Sequence, residues 1–244
     1  MIQEKKVYVE GIPCLQITSG EMPKGVVLFY HGWSSQKEYQ AVRGHVLAAY
    51  GYDVLIPDAV NHGERGTIDY NAPSSYSAFW QTIFQNLREV PMHLKYMASW
   101  RPGVPLAVMG HSMGGFTSLG VMTHYNEFCA AVALNGSGWW DESERRFRAA
   151  LHIDKPRSYP FLQRQLQAMD PYLHTQRLAG RSVLALNGGA DDVVDNHAQD
   201  LYMAKLRNTK DVDCKWLTYD GLGHFVTTNM MGDAVDWLDE KVHR

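Results

Sequence analysis

Cysteine is scarce in this chain, with Cys14, Cys129 and Cys214 the three in 244 residues. Their number is odd and they stand far apart, so they form neither a disulfide framework nor a metal-ligand spacing. Packed thiols in a reducing cytoplasm are the expected reading. An excess of one charge is missing as well. The 23 basic and 26 acidic residues leave a net charge of −3, no footprint for nucleic acid or an anionic membrane surface. No apolar run approaches the length of a membrane span, and the opening Met1-Ile2-Gln3-Glu4-Lys5-Lys6 lacks the apolar core of a secretion signal. The 11 histidines are scattered, with no His-x-x-x-His or similar pair on one element, so a metal is not expected.

What remains is an ordinary globular composition, 45% hydrophobic and 20% charged, long enough to bury a sizeable core in one domain spanning 1–244. Two short β-like runs open the chain, Lys6–Glu10 and Cys14–Thr18. Apolar runs then alternate with helical segments: strand Val26–Tyr30, helix Lys37–Tyr50, strand Asp53–Pro57, a polar loop Asp58–Ser75, and a helical stretch to about Trp100, interrupted at Pro91. A strand Pro105–Met109, a helix Phe116–Tyr125, and strands Ala130–Leu134, Ser182–Leu186 and Cys214–Tyr219 follow, with helices near 197–207 and 230–242. Continuous apolar strands separated by helices predict a mostly parallel sheet covered on both faces. Residues 138–178 break the rhythm. They hold Trp139, Trp140, Phe147, Tyr159, Phe161 and Tyr172 with Arg145, Arg146 and Arg148, and are too long for a plain connection. A small helical cap over the strand ends is expected, with the arginines on a solvated helix face.

Gly110-His111-Ser112-Met113-Gly114 follows one of these strands and precedes a helix. In that context G-x-S-x-G is a nucleophile elbow, its serine at the tip of a strained turn and its glycines where strand and helix pass too closely for side chains. A serine hydroxyl needs a general base to take its proton, and the base needs an orienting carboxylate. Tyr219-Asp220-Gly221-Leu222-Gly223-His224 puts a histidine in a glycine-rich loop after the last strand. Ala190-Asp191-Asp192 ends another strand. Asp191 is the expected acid, ahead of Asp192 and then Asp195, and an aspartate left over would cap the helix beginning near 196. Backbone N–H groups must receive the developing negative charge. That of Met113 follows from its place after the nucleophile, and that of Trp33 from the turn His31-Gly32-Trp33. His31 and His111 are expected to form structural hydrogen bonds. Trp33, Trp139, Trp140 and Phe225 are the candidate pocket walls.

His31-Gly32, Pro57-Asp58 with His62-Gly63, Gly110–Gly115, Asp191 and Gly223-His224 together resemble the ordered landmarks of the α/β-hydrolase superfamily, over residues 31–224. The stretches Tyr30-His31-Gly32 and Pro57–Arg65 look most like small bacterial carboxylesterases of the prolyl-oligopeptidase-like (dienelactone-hydrolase-like) branch. The resemblance implies a mostly parallel eight-stranded sheet with helices on both faces, a covalent acyl-enzyme on Ser112 and no cofactor. Its partner would be a small-molecule ester, with neither nucleic acid nor membrane involved. Two departures stand out. Leu186-Asn187-Gly188 replaces the His-Gly of many relatives, and the propeller of the true oligopeptidases is missing, which speaks against peptide cleavage. Thioesterase, amidase or lipase chemistry would use the same triad, and a receptor-like binding protein would keep it without turnover. Serine at the elbow speaks against dehalogenase and epoxide hydrolase chemistry, which use aspartate there. The bulky tryptophans favour short acyl chains.

Overall fold

The computed structural model describes residues 1–20, 22–72 and 75–242; Pro73 and Ser74, at the end of the expected polar loop, lie outside the described residues. Eight strands form one sheet: β1 (Gln3–Val9), β2 (Ile12–Thr18), β3 (Gly25–Tyr30), β4 (Tyr52–Pro57), β5 (Leu106–His111), β6 (Phe128–Leu134), β7 (Ser182–Gly188) and β8 (Asp213–Tyr219). Their spatial order is β1-β2-β4-β3-β5-β6-β7-β8. β2 runs antiparallel to β1 and β4, and all other neighbours are parallel. This is the mostly parallel eight-stranded sheet expected from the α/β-hydrolase resemblance. The first hairpin turns one residue earlier than expected. Glu10 and Gly11 both have positive φ, at 49° and 85°, between the paired Val9 and Ile12, as a two-residue type I′ turn requires.

Seven α-helices cover the sheet among the described residues: α1 (Ala41–Ala49), α2 (Tyr76–Trp100), α3 (Met113–His124), α4 (Trp140–Leu151), α5 (Tyr159–Met169), α6 (Asn196–Arg207) and α7 (Thr228–Lys241). The two-residue period of a strand divides them between two cores. Val26, Leu28 and Tyr30 of β3 face a core that includes Trp80, Phe84, Phe116 and Leu119 of α2 and α3. Val27 and Phe29 face the opposite one, with Leu47 of α1 and Met230, Ala234 and Leu238 of α7. Every residue of β3 and β4 is therefore buried, which is why Val26–Tyr30 and Val54–Ile56 read as unbroken apolar runs.

The interruption expected at Pro91 does not occur, and α2 runs through it for 25 residues. Proline removes the N–H that would bond the carbonyl four residues earlier. That carbonyl belongs to Leu87, and it accepts the Tyr125 hydroxyl at 2.6 Å instead. A side chain from the end of α3 thus replaces the missing helical bond.

Residues 138–178 form α4, α5 and a 3-10 segment, Pro171–Leu178. The buried Asp170 ties the ends of this segment together, accepting the amides of Trp140, Asp141 and Tyr172 at 3.1, 2.9 and 3.0 Å. Glu144 fastens α4 to α2 by accepting from Tyr76 Oη and Trp80 Nε1 at 2.5 and 2.6 Å. The arginines do not share one solvated face: Arg145 is exposed as expected, Arg146 is half-buried and Arg148 is buried. Arg148 is 6% exposed, bonds Glu144 at 2.5 Å, and lies over the Tyr76 and Tyr159 rings. Arg145 and Arg146 both pair with Glu142, and Arg146 also reaches Asp195.

Tyr125→Phe should leave the Leu87 carbonyl without its side-chain partner. A loss of about 1 kcal/mol is expected, with the same dependence on denaturant concentration, read from urea unfolding. No change in midpoint would show that the carbonyl finds another donor at no cost.

Candidate active site

Ser112 joins β5 to α3 with φ 57° and ψ −120°, a positive φ that a serine adopts only under constraint. Two glycines supply the room. A Cβ on Gly110 would run into the Gly114 carbonyl, and one on Gly114 into the Tyr30 carbonyl at the end of β3. The Ser112 amide is held by Leu134 O at 2.8 Å, and its carbonyl receives the Phe116 amide at 3.1 Å. The turn is therefore bonded both to β6 and to α3.

His224 arrives from the loop after β8. Its Nε2 is 2.9 Å from Ser112 Oγ and its Nδ1 is 2.7 Å from Asp191 Oδ2. The second Asp191 oxygen accepts the amides of Val193 and Val194, both at 2.9 Å. Burial pushes the Asp191 carboxyl up, but the His224 hydrogen bond and these two amides outweigh it and hold the pKa below the usual value. Among the three aspartates weighed from the sequence, Asp191 is the one that meets the histidine. Asp195 caps α6, accepting the His197 amide at 2.7 Å, and Asp192 is exposed.

The acid and histidine loops are joined to each other. Gly189 and Ala190 donate their amides to the carbonyls of Tyr219 and Leu222 at 2.8 and 2.9 Å. Asn135, buried at the end of β6, receives the Gly188 amide at 2.9 Å and donates to Phe225 O at 2.9 Å. Asn187, the departure noted in the sequence, is also buried; it accepts from Trp216 Nε1 at 3.0 Å and donates to Gly136 O at 3.2 Å. Sequence reading missed Asn135, since a lone asparagine after an apolar strand carries no motif.

The turn after β3 lies against Ser112, where a Cβ on Gly32 would stand 3.3 Å from Ser112 Cβ. Trp33 is the next residue. Met113 opens α3, where the first N–H groups have no carbonyl within the helix to bond. Two histidines lock this turn to the loop after β4. His31 Nδ1 is 2.8 Å from Gly32 O, so its Nε2 is free to accept the Ala59 amide at 3.0 Å. His62 does the reverse, with Nδ1 2.8 Å from Val60 O and Nε2 accepting the Ser34 amide at 3.2 Å. Burial keeps both imidazoles neutral, pushing His31 down to about 4 and lowering His62. His31 thus forms the structural hydrogen bonds expected of it. His111 does not: its Nε2 is buried without a partner, and its ring lies 5.1 Å from that of His224. Burial, reinforced by His224, pushes His111 down to about 3.

Sequence reading also missed Lys37. Its side chain is fully buried with that of Asp58, which Nζ meets at 2.7 Å; Nζ also reaches Glu64 at 2.6 Å, and the Lys37 amide bonds Asp58 at 2.9 Å. Burial alone would lower the lysine pKa; the three carboxylates of Asp58, Glu64 and Glu38 raise it instead.

Of the candidate pocket walls, Trp33 borders an aromatic cluster with Tyr70 and Phe79, and Phe79 continues it to Phe116 and Phe147. Trp33 Nε1 donates to Tyr70 O at 3.2 Å. Phe225, next to His224, is 70% exposed. Trp139 stacks on Tyr172 with ring centroids 4.1 Å apart. Trp140 is not a wall. It is fully buried between Trp80 and Phe84 and packs into the space left by Gly120. Tyr70 and Phe79, the ring partners of Trp33, carried no signal in sequence as isolated aromatics in a loop and a helix. Among the described residues, no group of three or more His, Cys, Asp or Glu is arranged to hold a metal ion, and no helix is long and apolar enough to cross a membrane.

The sequence profile of the family described as serine aminopeptidase, S33, matches residues 21–165. The protein named Esterase YjfP from Escherichia coli (strain K12) is 27% identical over 249 residues, 98% of each chain. YitV of Bacillus subtilis (strain 168) is 29% identical over 205 residues, covering 80% of each. Among solved structures, TT1662 from Thermus thermophilus superposes over 100% of this chain and 99% of its own with a TM-score of 0.79 at 21% identity.

Acid should weaken the fold through its buried imidazoles. Burial holds His31 and His93 down to about 4 and His111 to about 3, whereas an unfolded histidine titrates near 6.5. Below about pH 6.5 the unfolded chain takes up protons that the folded chain refuses, so the stability present at pH 7 is lost as pH falls toward 4. Each group contributes a slope of at most about 1.4 kcal/mol per pH unit. Urea midpoints should drop from pH 7 to 4.5, and drop less steeply in His93→Leu. Parallel slopes would show that His93 titrates alike in both states.

Proposed function

This chain belongs to the serine aminopeptidase S33 family of α/β-hydrolases, and from that membership we propose that it is a serine esterase acting on small carboxylic esters. One observation carries the reading: Ser112 Oγ, His224 Nε2, His224 Nδ1 and Asp191 Oδ2 form an unbroken line of contacts at 2.9 and 2.7 Å. A relative spanning nearly the whole chain that bears the name esterase supports it.

His224 Nε2 takes the Ser112 proton as Oγ attacks the ester carbonyl. Asp191 fixes the tautomer that leaves Nε2 free to accept, and its negative charge stabilises the imidazolium that follows. The N–H groups of Trp33 and Met113 receive the oxyanion. The tetrahedral intermediate collapses as His224 returns the proton to the departing alcohol oxygen, leaving the acyl group on Ser112. Water, deprotonated by His224, releases the acid and restores the serine. The aromatic cluster around Trp33, Phe79 and Phe147 bounds the acyl side and favours short chains, with residues 138–178 serving as a cap on a single domain. Three unpaired cysteines suit a cytoplasmic setting.

Ser112→Ala should lower kcat/KM for p-nitrophenyl butyrate by about 10⁴-fold; unchanged turnover in the purified variant would sink the assignment. Asp191→Asn should cost a comparable factor through the wrong tautomer, about 10³- to 10⁴-fold, and Asp192→Asn less than about twofold. The reverse order would move the acid to Asp192. Across p-nitrophenyl esters from acetate to palmitate the rate should peak at short chains, and the matching p-nitroanilide should be the poorer substrate. A maximum at palmitate would refute the small acyl pocket, and preference for the anilide would make the enzyme an amidase.

A further inference from the structure

Arg145, Arg146 and Arg148 are each paired with a carboxylate. Arg43, on α1, is not. Among the described residues its guanidinium bonds only the neutral side-chain oxygen of Gln40, at 2.6 Å. It is partly buried, and that burial lowers its pKa with no counter-charge to offset it. A cation withdrawn from water without an anion is costly unless a ligand completes it.

Arg43 lines a groove of about 290 Å³ between α1 and the start of α7. The groove is walled by Val42, Val46, Val226 and Met231, and among the described residues no Asp or Glu lines it. Thr227 and Thr228, at its rim, begin α7. Thr227 Oγ1 takes the Met230 amide at 3.3 Å, while the Thr228 N–H lies in the first turn, where the helix carries partial positive charge. A guanidinium and a helix N-terminus therefore converge on an otherwise apolar groove.

Its position ties it to the reaction. The far wall, Val226–Thr228, continues directly from His224. Behind the near wall Gln40, the partner of Arg43, donates to Ser35 Oγ at 2.9 Å, and the Ser35 amide bonds Gly32 O at 3.2 Å, in the turn that carries Trp33. The charge of Arg43 also helps keep His111 neutral, which puts it within electrostatic reach of the elbow. In ester cleavage the departing oxygen must face His224 Nε2 to receive its proton, so the alcohol portion extends toward the histidine loop.

We propose that this groove is the leaving-group subsite and that Arg43 binds a carboxylate on the alcohol portion of the ester, making the substrate an acyl ester of an apolar hydroxy acid. Guanidinium suits that task because its planar fork meets a carboxylate with two parallel N–H bonds. The assignment rests on the esterase reading for its reaction, but not for its binding.

4-Acetoxybenzoate and methyl 4-acetoxybenzoate share an acyl group and an aryl skeleton and differ in charge. The wild-type enzyme should favour the acid. Arg43→Met should lower the ratio of kcat/KM for acid over methyl ester about tenfold, mainly through KM of the acid, with Arg43→Lys in between; tenfold corresponds to about 1.4 kcal/mol. A ratio that Arg43→Met leaves unchanged overturns the proposal. Calorimetric titration with 4-hydroxybenzoate needs no turnover. The wild-type protein should bind it at least tenfold more tightly than methyl 4-hydroxybenzoate, and equal binding of the two overturns the proposal even if Arg43→Met fails to fold. No turnover of either ester, combined with binding of 4-hydroxybenzoate that Arg43→Met abolishes, would support the anion site and remove only the esterase reading.

Discussion

The whole site depends on one close approach of two backbones. The end of β3 passes so near the first turn of α3 that the Tyr30 carbonyl occupies the place where a Gly114 side chain would be. β3 and β5 are neighbours in the middle of the sheet, so this contact decides where the turn after β3 can go. It brings Gly32 against Ser112, with Trp33 next in the chain. The same absence of side chains at Gly110 and Gly114 lets Ser112 keep its positive φ. A β-carbon on Gly110 would push β5 away from α3, and one on Gly114 would push β3 away from it.

Holding the turn in place is a separate task, performed by the loop after β4. His31 and His62 each give one nitrogen to their own segment and the other to the opposite one, a reciprocal pair of bonds from Ala59 and Ser34. Lys37 and Asp58 add a fully buried ion pair below them. Such a pair contributes little net stability, because both ions must be desolvated. Its value lies in direction, since Asp58 also accepts the amides of Lys37 and Glu64 and so sets the path of both segments at once.

Much of this was legible in the sequence because it rests on short-range rules. The elbow glycines, the Ser112–Asp191–His224 order and the apolar strands each follow from local steric or chemical demands. What was hidden depends on partners distant in the chain. Pro91 reads as a helix breaker until Tyr125, 34 positions later, supplies a donor to the orphaned carbonyl. Arg148 reads as a surface charge until Glu144 and two tyrosine rings enclose it. Trp140 reads as a pocket wall because sequence does not reveal which face of α4 meets α2. Lys37 is the clearest case: a lysine carries no sign that it will be buried, and only the fold brings Asp58 to it.

Four imidazoles gather near Ser112, His31 beside His62 and His111 beside His224, each pair 5.1 Å apart. Any of them has the chemistry of a general base, yet the surroundings leave one suited to the task. His31 and His62 commit both nitrogens to the backbone and are held neutral by burial. Burial also lowers His111, and a proton placed there would face both His224 and Arg43. Among the described residues only His224 combines a carboxylate on Nδ1 with the serine on Nε2. In the proposed mechanism, selection of the base is thus achieved largely by disabling its neighbours. The neutral His111 ring also gives His224 a polarisable face that would not repel the imidazolium of the proposed attack, as a lysine or arginine at that variable elbow position would.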